Sequence, residues 1–87
     1  MEPCVYILRS LVNDRYYIGS TDNILRRVHE HNSGKSIYTR LTKPFELVFS
    51  QNFATLTEAR SVEYRLKKLK RRDILERIIE NGVITLK

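Results

Sequence analysis

The sequence predicts an α+β fold, a small three-stranded and mainly antiparallel sheet flanked by helices in the order β-β-α-β-α-α. Three observations carry this. Two short segments rich in strand-forming residues flank an Asn-Asp turn, and a third follows a proline. Three further segments place apolar residues at helical spacing, each with a capping or terminating residue at one end or both.

Taken in order, Cys4 to Arg9 (CVYILR) reads as the first strand, Leu11 to Asp14 as a turn and Tyr16 to Ser20 as the returning strand of a hairpin. With Asn13 and Asp14 in the turn, Tyr6 and Tyr17 are expected near each other across the pair, while Tyr16 faces the opposite side as a packing residue. Thr21, Asp22 and Asn23 are all good N-caps and Ser33-Gly34 is a good stop, so a helix is expected from Asn23 to His31 or Asn32. Its buried face is predicted to be Ile24, Leu25 and Val28, which share an arc of about 100°. Arg27 and His31, four residues apart, run along one edge of that arc, whereas Arg26 and His29 point elsewhere.

Lys35 to Pro44 (KSIYTRLTKP) has no clear period and is expected to be a basic, hydroxyl-rich loop. Phe45 to Phe53 forms the third strand. Thr55 and Glu58 then fit a capping box ahead of a second helix with Leu56, Ala59, Val62, Leu66 and Leu69 as its apolar stripe, ending near Lys70. Asp73 is the expected cap of a last helix with Ile74, Leu75, Ile78 and Ile79 inward, closed by Asn81-Gly82. Val83 to Lys87 reads as a short extended tail.

The 87 residues are read as a single domain spanning 1–87, with no room for an appended DNA-binding domain. Cys4 is the only cysteine, so neither an internal disulfide nor a cysteine-built zinc site is available, and a cytoplasmic setting is expected. No secretion signal or membrane-length apolar stretch is expected. Sixteen Lys and Arg against ten Asp and Glu give a net charge of +6, which points to an anionic partner. The densest run, RLKKLKRR from Arg65 to Arg72, holds six cations in eight residues. Lys67, Lys68, Lys70 and Arg71 are the expected phosphate-backbone contacts, with Lys35 and Arg40 of the loop; the alternative is a solvated helix face.

One residue breaks the pattern of the second helix. With Ala59 at 0°, Glu63 falls at about 40°, inside the apolar arc. A carboxylate there needs compensation, either from a partly buried salt bridge, for instance to Arg27, or from a metal. Two tyrosines on a hairpin, an arginine and a histidine on the core-facing edge of the next helix and an inward glutamate are the parts that phosphodiester hydrolysis needs. A single carboxylate with substrate oxygens suits one Mg²⁺ or Mn²⁺ ion, an arginine fork grips a phosphate, and a tyrosine can activate water if nearby cations lower its pKa.

With these residues in place, the chain resembles a GIY-YIG nuclease domain of the small stand-alone bacterial type. Cys4-Val5-Tyr6 stands as the first motif and Tyr17-Ile18-Gly19 as the second. Arg27 matches the family's first-helix arginine, His31 the histidine one turn beyond it, Glu63 the metal-binding glutamate and Asn81, loosely, a later polar residue. The resemblance implies a three-stranded sheet flanked by helices and divalent-metal-dependent cleavage of nucleic acid, here assigned to DNA, with repair or recombination as the setting. Cys4 departs from the family's glycine and is read as a small strand residue. Gly19 is explained either by close backbone approach at the site or by a bend at the strand end.

Two other classes compete. A catalytically silent nucleic-acid-binding module docking on a larger repair complex would keep the fold but not need every ionisable motif position. A protein-binding adaptor would explain the charge but not an inward Glu63. For a nuclease this small, target choice is expected to rest on shape recognition, on a homodimer or on a partner protein.

Overall fold

The computed structural model describes residues 2–35 and 40–84, with the side chain of Arg40 outside that set. Strand β1 (Cys4–Ser10) is central, with β2 (Tyr16–Thr21) and β3 (Phe45–Asn52) antiparallel on either side. Both faces of β1 are covered, and every side chain from Cys4 to Leu8 is buried. That is why CVYIL is continuously apolar instead of alternating.

The hairpin turn is built from side-chain capping of its own backbone. Asn13 Oδ1 accepts from Arg15 N at 3.0 Å, and Asp14 adopts a left-handed φ of 62°. Ser10 Oγ accepts from Val12 N and Asn13 N and donates to the Thr42 carbonyl at 2.6 Å. The resulting register pairs Tyr6 with Gly19 and Leu8 with Tyr17. Tyr6 and Tyr17 therefore share a face and are not directly opposite, one alternation step apart along the sheet.

Helix α1 (Ile24–Ser33) packs Ile24 and Val28 on the face formed by Tyr6, Leu8, Tyr17 and Phe45. Leu25, expected inward, is 70% exposed. The buried stripe instead runs Ile24, Val28, His31, an i, i+4, i+7 seam that a narrow helix-on-sheet contact selects. Helices α2 (Leu56–Leu69) and α3 (Arg72–Asn81) cover the opposite face, where Ala59, Leu66, Leu75 and Ile78 meet Val5, Ile7 and Phe49. Leu69, at the last turn of α2, is partly exposed. Phe45 and Phe49 would share a face in a regular strand. A bulge at Val48, skipped in the pairing between Ile7–Phe49 and Leu8–Leu47, sends them to opposite faces, so β3 supplies an aromatic anchor to both layers.

Thr55 caps α2 as expected, its side chain accepting from Glu58 N, while Glu58 reaches back to Ala54 N. Two further expectations are corrected. Arg40–Thr42 is one turn of 3-10 helix inside the expected loop, held by the Ser10 contact to Thr42. Arg71, not Asp73, occupies the N-cap of α3; Asp73 sits in the first turn and accepts a two-pronged contact from Arg71 at 2.7 and 3.2 Å. Residues 36–39 of the loop and 85–87 of the expected extended tail lie outside the described residues, and Val83 and Ile84 form no strand.

Gly19 serves close approach. The Tyr6 ring leans from the central strand across the edge strand, and a Cβ at position 19 would overlap its Oη and Cζ atoms. The ring is 3% exposed and has little room to retreat. Gly19→Ala should therefore destabilise the fold by about 1–3 kcal/mol through overpacking. Urea unfolding of a double-mutant cycle checks this: the penalty should largely disappear in a Tyr6→Ala background, because the two residues are in direct contact.

Candidate active site

The β2 to α1 junction places the first group of side chains. Thr21 Oγ1 accepts from Asn23 N at 3.1 Å, and Asn23 Oδ1 caps the helix by accepting from Arg26 N at 3.1 Å. With α1 started at that point, Arg27 and His31 fall one and two turns along the edge facing Tyr6. His31 is 6% exposed, its Nε2 lies 3.2 Å from Tyr6 Oη, and its ring stands edge-on to Tyr6 and Phe45. Asn32 locks this end of the helix to β3, donating to the Phe45 carbonyl at 3.2 Å and accepting from Phe45 N at 2.6 Å. The Arg27 guanidinium lies close enough to the Tyr6 hydroxyl for each to influence the other's ionisation, and it donates to Glu30 at 3.2 Å. Tyr17 Oη lies 3.3 Å from Thr42 Oγ1, and its ring stands edge-on to Phe45 at 5.2 Å.

Across the free edge of β2, Glu63 projects from α2 with its side chain only 20% exposed. Its salt-bridge partner is Lys67, at 2.6 Å from Oε2, and not Arg27. Oε1 accepts from Ser20 Oγ. Ser20 was not singled out by the sequence reading, although it follows Gly19 on the strand edge; Asn32 and Thr42 were missed too. They are ordinary polar residues with no spacing signal, and only tertiary contacts give them partners.

One open cavity of about 540 Å³ joins the two groups. Tyr6, Tyr17, Gly19, Arg27, His31 and Glu63 all line it, as do Lys67, Lys70 and Arg71 of the basic run. Other predicted residues lie elsewhere. Lys68 is not among the lining residues and rests 6.0 Å from the Tyr64 ring centroid. Asn81 ends α3 away from the cavity wall, and Lys35 is exposed beyond the end of α1. The Arg40 side chain is outside the described residues. Arg72 also lines the cavity, but as a structural tie, stacking 4.2 Å from the Tyr16 ring centroid and donating to the Asp14 carbonyl at 2.7 Å.

Comparisons with known proteins bear on the family and the fold. Residues 2–77 match the GIY-YIG catalytic domain. The chain belongs to the GIY-YIG family. A UPF0213 protein of Streptococcus pneumoniae serotype 4 is 46% identical over 67 residues, covering 76% of this chain and 68% of that protein. UPF0213 protein YazA of Bacillus subtilis is 40% identical over 68 residues, or 77% of this chain and 68% of YazA. The solution NMR structure of the UPF0213 protein BH0048 from Bacillus halodurans superposes with a TM-score of 0.58 at 37% identity, covering 94% of this chain and 87% of that one. The fold is thus a nuclease-type GIY-YIG fold. No helix among the described residues is long and apolar enough to cross a membrane.

Within this cavity the electrostatics correct one expectation. Burial raises the Tyr6 phenol above its ordinary value; the nearby Arg27 guanidinium opposes that rise without reversing it. The phenol is therefore protonated at neutral pH. Burial, reinforced by the Arg27 charge, lowers His31 below its ordinary value, so the imidazole is neutral. Because the unfolded chain binds a proton to this histidine at higher pH than the folded one does, stability contributed by the neutral ring is fully present above about pH 6.5 and is lost as the pH falls through the folded value. Urea midpoints for wild type should decline below about pH 6.5, and His31→Gln should flatten that part of the profile relative to wild type.

Proposed function

We propose that this chain is a divalent-metal-dependent endonuclease that hydrolyses phosphodiester bonds in DNA, with repair or recombination as its setting. The observation that carries the reading is the convergence, in one basic cavity, of the Arg27–Tyr6–His31 cluster and the inward carboxylate of Glu63.

The donor set fits a magnesium-type ion better than a caged one. No group of three or more His, Cys, Asp or Glu side chains converges among the described residues, and Glu63 alone offers a carboxylate to the cavity. Mg²⁺ and Mn²⁺ suit such a site because Mg²⁺ retains most of its waters and takes remaining ligands from substrate phosphates. When bound, the ion supplies Lewis-acid polarisation of the phosphoryl group and stabilises the leaving oxygen.

The remaining steps belong to the protein. Tyr6 Oη lies 3.2 Å from His31 Nε2, and in the tautomer with Nε2 unprotonated the phenol donates its proton there, beside the Arg27 charge. A neutral His31 can take that proton as the Tyr6 oxygen accepts one from an attacking water, so the raised phenol value is offset by a built-in acceptor and the pair moves the proton together. Arg27 also faces the cavity, where its planar fork can hold a non-bridging phosphate oxygen as charge develops. Tyr17, fixed by Phe45 and Thr42, walls the same side and positions the backbone. Lys70 and Arg71 line the cavity as backbone contacts; Lys35, Arg40 and Lys68 would extend that contact beyond it.

Cleavage of labelled duplex, branched and single-stranded DNA, with RNA as comparison, tests the reading in Mg²⁺ or Mn²⁺ against EDTA. Glu63→Gln should abolish metal-dependent cleavage while circular dichroism shows a retained fold. Full activity in the folded variant would remove Glu63 from the metal site. Arg27→Ala should lower kcat by about 100-fold or more, the scale of losing one transition-state donor. Arg26→Ala, whose exposed side chain pairs with Asp22, should stay within about threefold of wild type. Equal losses for the two would take the special role away from Arg27.

A further inference from the structure

Both oxygens of the carboxylate proposed to hold the metal already have a partner. Lys67 Nζ lies 2.6 Å from Glu63 Oε2, and Ser20 Oγ donates to Oε1. Glu63 precedes Lys67 by four residues, the favourable order for a helical ion pair, so the contact forms within α2 and needs no other element. Lys67 is 54% exposed at its side chain, whereas Glu63 is 20% exposed. The lysine can thus swing to solvent or to a neighbouring phosphate; the glutamate is confined to the cavity wall. An ammonium against a carboxylate occupies the position and neutralises the charge that a divalent ion would require.

We propose that Lys67 is a displaceable counter-ion of Glu63, and that it exchanges Glu63 for a nucleic-acid phosphate when substrate binds. This rests on the metal-dependent reading above and adds a regulation to it. The resting site is stable without metal because Lys67 compensates the carboxylate. A phosphate backbone in the cavity offers the ammonium an alternative anion and releases Glu63 oxygen ligands. Metal and nucleic acid then bind with positive coupling, and by reciprocity each favours the other. Ser20 stays on Oε1 throughout and positions the carboxylate.

Mn²⁺ binding to the full chain without nucleic acid, followed by water-proton relaxation enhancement, gives a readout independent of cleavage. Lys67→Met, which keeps the aliphatic stem, should tighten Mn²⁺ binding about fivefold, the upper range for releasing a partly exposed ion pair. Lys70→Met removes the same charge from the same cavity without touching Glu63, and should change the affinity less than twofold by the same scale. Equal effects of the two variants would overturn the proposal in favour of a general field effect. Mn²⁺ binding that depends on Glu63 but ignores Lys67→Met would overturn the exchange alone. Binding unaltered by Glu63→Gln would remove the metal reading and the exchange with it. In EDTA, Glu63→Gln should tighten duplex binding several-fold in the wild-type background by freeing Lys67, and much less in the Lys67→Met background. Equal gains in both backgrounds would contradict transfer of Lys67 to phosphate.

Discussion

The whole arrangement depends on the Tyr6 ring crossing Gly19. β1 is buried on both faces, so a side chain on it reaches a functional surface only by passing over one of the edge strands. Tyr6 does so over β2, at the one position in that strand without a Cβ, and its hydroxyl emerges where α1 brings Arg27 and His31. The hairpin register set by the Ser10 and Asn13 turn contacts is what puts Gly19 beneath the ring. A shift of one residue would place a side chain there and turn the strand's other residues to the wrong face.

The positive charge is divided by geometry rather than spread as a field. Arg72 is tied to Asp14 and Tyr16 and joins the start of α3 to the hairpin turn, which makes it part of the scaffold. Lys67 and Arg71 face the cavity but carry carboxylate partners, Glu63 and Asp73. Such exposed or half-exposed pairs contribute little to stability, so their cations can be surrendered to a polyanion at small cost. On the proposed reading, a basic run of this kind offers ligands that are neutralised at rest and become available where a polyanion supplies competing charge.

Local signals account for what was legible in the sequence. The strands were found within a residue of their ends because their residues have strong β preferences and hard stops, and Asn23, Gly34 and Thr55 mark helix termini by their own hydrogen bonds or left-handed geometry. Glu63 stood out because a charge inside an apolar stripe is a departure from a period that can be counted. Leu25 misled because periodicity alone defines a wide arc, and the width of the actual contact is decided by the sheet beneath it. The Val48 bulge, the Asn32 bridge to Phe45 and the Ser20 contact to Glu63 were invisible for a common reason. Each joins residues distant in sequence, and none alters the local composition. The expected cap at Asp73 failed because Arg71 had a second use for that carboxylate, as a partner for its own guanidinium.

The division between buried and rim residues also governs how the site can be probed. Tyr6 and His31 belong to the core as well as to the proposed chemistry, packing with Phe45 beneath α1. Truncating either leaves a cavity or an unsatisfied partner, at a cost of about 1–5 kcal/mol in a domain whose total margin is about 5–15 kcal/mol. Activity of such variants is therefore read alongside their unfolding free energy. Arg27 and Lys67 are more exposed, and Glu63, 20% exposed, lines the cavity wall outside the buried core clusters, so shape-conserving neutral replacements there should leave the core packing intact. In the proposed reading, the pair that would handle protons thus takes its rigidity and low dielectric from the core, and the residues that would meet metal and phosphate line the open cavity.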